Sequence, residues 1–183
     1  MTNASHNSPV SPAWPGGKIF LIGFMGSGKT YWGKIWAQQS GLAFYDLDEE
    51  IEKDQGQNIS LIFERNGEDH FRKIESVALR AVEETENCII ACGGGTPCFY
   101  DNMQWMNAHG TTVYLQATPA YILSRVKTEK DKRPLIHTLN EGELLFFIEQ
   151  KLKAREPFYN QAKIILPVTE LKDNSLQTLN PKP

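Results

Sequence analysis

Gly23, Gly28, Lys29 and Thr30 stand in the spacing G-x-x-x-x-G-K-T inside the stretch "LIGFMGSGKT". Glycines at such intervals let a loop curl until its N–H groups face inward onto an anion. A helix opening at that point adds the positive end of its dipole. Lys29 supplies a charge for the β- and γ-phosphates of a nucleotide, and the Thr30 hydroxyl suits Mg²⁺. The plain alternative is a glycine-rich turn that binds nothing. It does not account for the apolar strand before the loop or the helical pattern after it. Gly26, Ser27, Gly28, Lys29, Thr30 and Tyr31 are the candidate ATP contacts. They point to a nucleotide and leave the destination of its phosphate open.

Other residues have to hold an acceptor. Asp46 and Asp48 close the run "AFYDLD". If strand geometry continues through them, both carboxylates point to one side. One could then reach Mg²⁺ through water while the other takes the proton of a substrate hydroxyl. The plainer alternative is that Asp48 caps a helix starting at Glu49. Arg72 and Glu75 in "FRKIE" have the spacing of a surface helix pair. Arg155 ends a helical stretch, where the dipole favours any cation. "GGGT", residues 93–96, is more informative. Three glycines in succession cost backbone entropy. A ligand approaching the main chain closely would explain them best, and a tight crossover turn is the alternative.

The elements that must position these residues alternate. "KIFLIG", "AFYDLD", "CIIACGGG", "TTVYLQ" and "KIILP" read as short buried strands. Between them, helices are expected over 29–41, in "EEIEKDQG", in "LIFERNG" with Ser60 as its cap, and over 68–84. Further helices are expected over 101–109, 118–126 and 141–155, the last ending before Pro157. In the helix over 68–84, Phe71, Ile74, Val77, Ala78 and Val82 form the apolar side. Strands alternating with helices predict a parallel sheet covered on both faces, with function at the carboxyl ends of the strands. The phosphate loop, the aspartate pair and the triple glycine all follow strands directly. "KTEKDKRP" is charged and ends in proline, so it reads as an exposed loop.

The bulk numbers agree with one domain. The chain has 183 residues, 40% hydrophobic and 22% charged, with a formal net charge of −3. That charge gives no drive toward nucleic acid or an anionic membrane. No apolar stretch approaches the roughly 20 residues of a membrane helix. Residues 1–17 read as a disordered arm without the n- and h-regions of a secretory signal, and residues 169–183 read as a weakly structured polar tail. Cys88, Cys92 and Cys98 cannot all pair with one another and read as free thiols in a reducing cytoplasm.

Taken together, these blocks resemble the shikimate kinases. The resemblance rests on "LIGFMGSGKT", "FYDLDEEI", "GEDHFRKIE", "CGGGT", "DKRPLI" and "REPFYNQA", in that order, and covers about residues 18–166. It implies an α/β adenylate-kinase-like P-loop fold in three layers. Five parallel strands run in the order 2-3-1-4-5, with helices on both faces and a mobile lid over about residues 127–142. The domain spans residues 18–168. The implied reaction moves the γ-phosphate of ATP, with Mg²⁺, to the 3-hydroxyl of shikimate, on the route to chorismate and the aromatic amino acids. Matched residue by residue, Asp48 holds the ring hydroxyls and serves as base or orienter, and Asp46 lies near Mg²⁺ with Thr30. Arg72 and Arg155 bind the shikimate carboxylate, and Gly93, Gly94 and Gly95 offer backbone N–H groups. Lys29 and Arg133 act on the phosphates, Arg133 from the lid, while Arg125 lies near the adenine. The resemblance implies a cytoplasmic monomer. Tyr31 departs from the family, which has a small hydroxyl residue there, and is expected to pack sideways. Another small-molecule P-loop kinase, such as a gluconate or dephospho-coenzyme A kinase, is the nearest rival. It lacks the combination of "FRKIE", "GGGT" and a late arginine. A nucleotide-binding module without chemistry would be expected to lose Lys29 or Asp48, and both are present.

Overall fold

All five apolar segments expected to be strands pair into one parallel sheet. In a computed structural model that describes residues 17–127 and 138–178, these are β1 (Lys18–Ile22), β2 (Ala43–Asp46), β3 (Cys88–Ala91), β4 (Gly110–Gln116) and β5 (Ile164–Pro167). They lie in the order β2-β3-β1-β4-β5, as expected. The central strands β1 and β3 are buried almost throughout, whereas the edge strands β2 and β5 are partly open. Strands covered by helices on both faces become continuous apolar runs, and "IFLI" and "CIIA" are such runs. Register then sets the geometry of everything downstream. Ala91 pairs with both Leu21 and Asp46, so three neighbouring strands end level. The phosphate loop, Asp48 and Gly93 therefore leave the sheet side by side.

The helices are α1 (Lys29–Ser40), α2 (Leu47–Gln55), α3 (Ile59–Ala81), α4 (Asn102–His109), α5 (Pro119–Val126), α6 (Glu141–Tyr159) and the short α7 (Ser175–Thr178). The core gathers Phe20, Leu21, Trp36, Ile89, Ile90, Tyr114, Ile148 and Tyr159, all at most 1% exposed. Burying each such side chain contributes about 1.5–3 kcal/mol, which makes the sheet a rigid base for the loops above it. Among the described residues no helix is long and apolar enough to cross a membrane.

Several local expectations change. The strand does not persist to Asp48: β2 stops at Asp46, and Asp48 stands in the first turn of α2. Asp46 itself is the cap, its Oδ1 accepting from the Asp48 N–H at 3.1 Å. The cap of α3 is Asn58, whose side chain accepts from Leu61 N, and Ser60 lies inside the first turn. Gly67, with φ 80 and ψ 173, does close the first part of that helix, as the glycine signal implied. Val77 is 71% exposed and is not part of the buried side. Phe71 is buried as expected, Ile74, Ala78 and Val82 pack partly buried against the core, and Arg72, Glu75 and Leu79 join the buried side. α6 runs through Pro157 to Tyr159, because proline here removes only one bond of the final turn. The segment after Val168 is more ordered than expected. Leu176 is 2% exposed, and Trp36 Nε1 donates to Lys172 O at 3.3 Å.

Candidate active site

Side chains cap α2, α3, α5 and α6, whereas α1, like α4, has no side-chain cap and no acid in its first turn; α1 alone of the two follows a glycine loop that lines a cleft. The four N–H groups that open a helix need partners, and an anion at this end satisfies them. Gly28, at φ 91, turns the chain into the helix through a left-handed conformation that an L side chain rarely adopts. Lys29 Nζ donates to Gly23 O at 2.9 Å and to Phe24 O at 3.1 Å, which seats the ammonium within the loop. Ser27 Oγ is fully buried and has no hydrogen-bond partner among the described residues. A buried hydroxyl without a partner costs about 1–3 kcal/mol, and a polar group left unpaired within this loop is consistent with a loop built to receive a polar ligand.

Thr30 and Asp46 are already in contact: Thr30 Oγ1 donates to Asp46 Oδ2 at 2.7 Å. Two hard oxygen donors side by side suit Mg²⁺, which takes one or two protein ligands and completes its shell with phosphate and water. The described residues contain no group of three or more His, Cys, Asp or Glu side chains that could hold a metal on its own.

These residues open onto one cleft of about 650 Å³. Gly26, Gly28, Lys29, Thr30, Tyr31 and Arg125 are among its lining, together with Asp46, Asp48, Gly93 and Gly94. Tyr31 stays 64% exposed and packs edge-on against Trp32, beside the loop rather than across it. Arg125 lies over the Tyr121 ring, with its Cζ 5.4 Å from the centroid. Burial pushes the Asp48 carboxyl from 3.8 up to about 6. The charges of Asp46 and Glu75 add to the rise, and Lys29 and Arg72 oppose it. A carboxylate poised just below neutral pH can accept a proton from an attacking hydroxyl.

Arg72, Gly95 and Arg155 sit behind the triple-glycine turn, outside the lining of that cleft. The expected surface pair of Arg72 and Glu75 is in fact buried: Arg72 Nη1 donates to Glu75 Oε2 at 2.8 Å, and the Glu75 side chain is 0% exposed. Phe63, Phe71 and Phe99 surround the guanidinium, with ring centroids 4.5–5.9 Å from its Cζ. A Cβ on Gly95 would lie 2.5 Å from Arg72 Nη2, and a Cβ on Gly93 would lie 2.7 Å from Glu75 Oε1 and 3.0 Å from Asp48 Oδ1. The protein's own side chains thus crowd Gly93 and Gly95 from behind, while Gly93 and Gly94 also line the cleft on which a ligand's approach was expected. Arg155 Nη1 would come within 3.2 Å of a Cβ on Gly94, and its Cζ lies over the Phe24 ring at 5.3 Å. Tyr159, one turn further along α6, donates its hydroxyl to Gly94 O at 2.6 Å. Arg133 and most of the expected lid lie outside the described residues.

Glu75, Thr96 and Tyr159 were not foreseen. Thr96 Oγ1 donates to Glu75 Oε1 at 2.5 Å, so Glu75 is held from both sides. Its signal was present in the sequence: Phe71, Glu75 and Leu79 stand at i, i+4 and i+8, an acid within an apolar row. An acid on a buried stripe needs a partner, and Arg72 is one turn away.

A family model described as shikimate kinase matches residues 25–179. The chain is 44% identical over 156 residues to the shikimate kinase of Phocaeicola vulgatus, covering 85% of this chain and 89% of that one. It superimposes on the crystal structure of shikimate kinase from Bacteroides thetaiotaomicron with a TM-score of 0.82 at 41% identity, over 89% of this chain and 93% of that one. It also superimposes on the Acinetobacter baumannii shikimate kinase in complex with shikimate, with a TM-score of 0.78 at 32% identity, over 88% and 89%. With the P-loop sheet order and the cleft described above, these similarities settle the question: the chain belongs to the shikimate kinase family.

Proposed function

We propose that this chain transfers the γ-phosphate of ATP to the 3-hydroxyl of shikimate, giving shikimate 3-phosphate and ADP. One observation carries the reading. Asp48, with its carboxyl raised to about 6, lines the same cleft as Lys29 and the uncapped start of α1. A base for an alcohol and a cradle for phosphate therefore face one space.

Residues 26–30 hold the phosphates, with Tyr31 and Arg125 toward the nucleoside. Thr30 and Asp46 hold Mg²⁺, which neutralises phosphate charge when bound. Asp48 orients the acceptor hydroxyl and takes its proton. Gly93, Gly94 and Gly95 turn their N–H groups to the substrate. Arg72 and Arg155 flank that turn and grip the carboxylate, a task suited to the guanidinium fork. Lys29 and Arg133 stabilise the charge on the transferred group, Arg133 arriving from a lid over about residues 127–142 that excludes water. The same reading gives one domain over residues 18–168 between an N-terminal arm and a polar tail, acting as a cytoplasmic monomer on the route to chorismate and the aromatic amino acids. Sedimentation at working concentration checks the monomer.

A coupled ADP-release assay tests the activity, with shikimate against quinate, gluconate and water. ADP release that depends on shikimate is the expected result. Equal release with gluconate, or with water alone, overturns the reading.

A further inference from the structure

Two carboxylates hold Arg72, and they differ in one respect. Glu75 is sealed, with a side chain 0% exposed, bonded to Arg72 Nη1 on one side and to Thr96 on the other. Glu68 is on the outside, with a side chain 54% exposed. Its Oε1 accepts from Arg72 Nε at 3.2 Å and from Nη2 at 2.9 Å. A guanidinium grips a carboxylate through either of two edges, Nε with Nη2 or Nη1 with Nη2. Glu68 occupies the first edge, and Glu75 already takes Nη1 of the second. The ring faces are covered by Phe63, Phe71 and Phe99. An incoming carboxylate therefore meets Arg72 with its side edge taken by another carboxylate.

We propose that Glu68 is an internal stand-in for the substrate's carboxylate: it holds the side edge of Arg72 until shikimate displaces it, and so sets both the affinity and the selectivity of that subsite. The proposal rests on the reading above that Arg72 receives the shikimate carboxylate. Backbone geometry supports an exchangeable partner. Gly67, with φ 80 and ψ 173, interrupts α3 one residue earlier, so no regular helical turn precedes Glu68 and packs against it. The division of labour follows from burial. Removing Glu75 would leave a buried guanidinium short of its charge partner, whereas water can receive the Glu68 carboxylate when it is released. A neutral hydroxylated ring gains nothing from displacing Glu68, because it brings no charge to replace the one expelled. The exchange therefore favours an acid over a polyol of the same shape.

The test is shikimate binding followed by tryptophan fluorescence, together with steady-state kinetics, in wild type, Glu68→Gln and Asp69→Asn. Asp69 is the exposed neighbour, and the bonds to Arg72 come from Glu68 and Glu75 instead. Glu68→Gln is expected to tighten shikimate binding about two- to fivefold, the size of an exposed ion pair's net worth. The association rate should rise, and the gain should appear in the shikimate KM while the ATP KM stays where it was. Asp69→Asn removes the same charge and should give a smaller gain or none. Equal gains in the two variants would make the effect general electrostatics and overturn the proposal. So would unchanged or weaker binding in a folded Glu68→Gln protein, which would make Glu68 a brace for Arg72. Arg72→Lys separates the proposal from its foundation. Shikimate affinity that survives Arg72→Lys overturns the placement of the carboxylate itself, whatever Glu68 does.

Discussion

On the proposed reading the phosphate end of the cleft comes from one continuous stretch, residues 23–30, whereas the acceptor end draws on Asp48 and residues 93–96, with Arg72 and Glu75, and Arg155 and Tyr159, packed behind that turn. The first is mostly backbone: a helix start without a cap, and a loop whose glycine stands at φ 91. The second is mostly side chains that lock one another, with Arg72 against Gly95, Glu75 against Thr96 and Tyr159 against Gly94. Backbone N–H groups recognise what all nucleotides share, so a short local motif suffices for them. A particular carboxylate and a particular hydroxyl need charges placed from several directions. Damage to the first region should remove chemistry while leaving the fold. Damage to the second should mix loss of binding with loss of stability.

The largest effect is expected at Lys29. Preorganised cations on a developing phosphoryl charge are worth several kcal/mol, so Lys29→Met should reduce kcat by at least about 10²–10³-fold. The circular dichroism spectrum and Tm should stay close to wild type. A folded Lys29→Met protein with near-normal kcat would break the first half of the comparison.

Asp48 sits where the two regions meet. Asp48→Asn should lower kcat by about 10²–10⁴-fold with little change in ATP affinity. In the wild type, kcat/KM should fall as pH drops through about 6, because the base form is lost there. Stability should move the other way. The folded carboxyl lies above its ordinary 3.8, so between pH 4 and 6 the native state holds more protons than the unfolded chain. The native state thus loses stability as pH rises through that window. The Asn variant escapes this cost and should melt a few degrees higher at pH 7–8, with no advantage near pH 4. Thermal melts at the two pH values read this directly, and a lower Tm for Asp48→Asn at both would contradict it.

Arg72 and Arg155 sharpen the second half. Each should cost shikimate binding on the order of 1.5–3 kcal/mol when changed to Ala, and the double variant should lose less than the sum. Their stabilities should part. Arg72→Ala leaves buried Glu75 without its ion partner and should destabilise the protein by about 3–5 kcal/mol, whereas Arg155→Ala strands no buried acid among the described residues. Denaturant melts of the two variants measure the difference, and equal midpoints would refute it.

Gly95→Ala should act more mildly. The added methyl falls 2.5 Å from a guanidinium that three phenylalanine rings hold in place, so one of the two must shift. Shikimate KM should rise several-fold while the ATP KM does not, and a rise in both would mean that the turn serves the nucleotide as well. The smallest effect is expected at Val77, which is exposed on the helix that carries Arg72. Val77→Thr should change stability by no more than about 0.5 kcal/mol. A larger loss would put that face back in the core.

By itself, the sequence determined a parallel sheet with helices on both faces, because short apolar runs alternating with helices admit few right-handed arrangements; the strand order came from the family resemblance. It also determined the phosphate loop, since residues 23–30 act through their own backbone and need little from elsewhere. Tertiary structure alone decided what Arg72 is. At i, i+3 with Glu75 it reads as an ordinary surface pair; the apolar row of Phe71, Glu75 and Leu79 hints at burial, but nothing within α3 shows that Gly95, Thr96 and Phe99 from other segments close over it, beside its own Phe63 and Phe71. The same holds for Asp48. Its raised carboxyl depends on burial and on the charges of Asp46, Glu75, Lys29 and Arg72, and of these only Asp46 is a close neighbour in the chain. Val77 was misassigned for a related reason: helical spacing defines a stripe, but which neighbouring stripe faces the sheet depends on what packs there. Local chemistry is written in adjacent residues, whereas burial and charge fields are sums over contacts that exist only once the chain has folded.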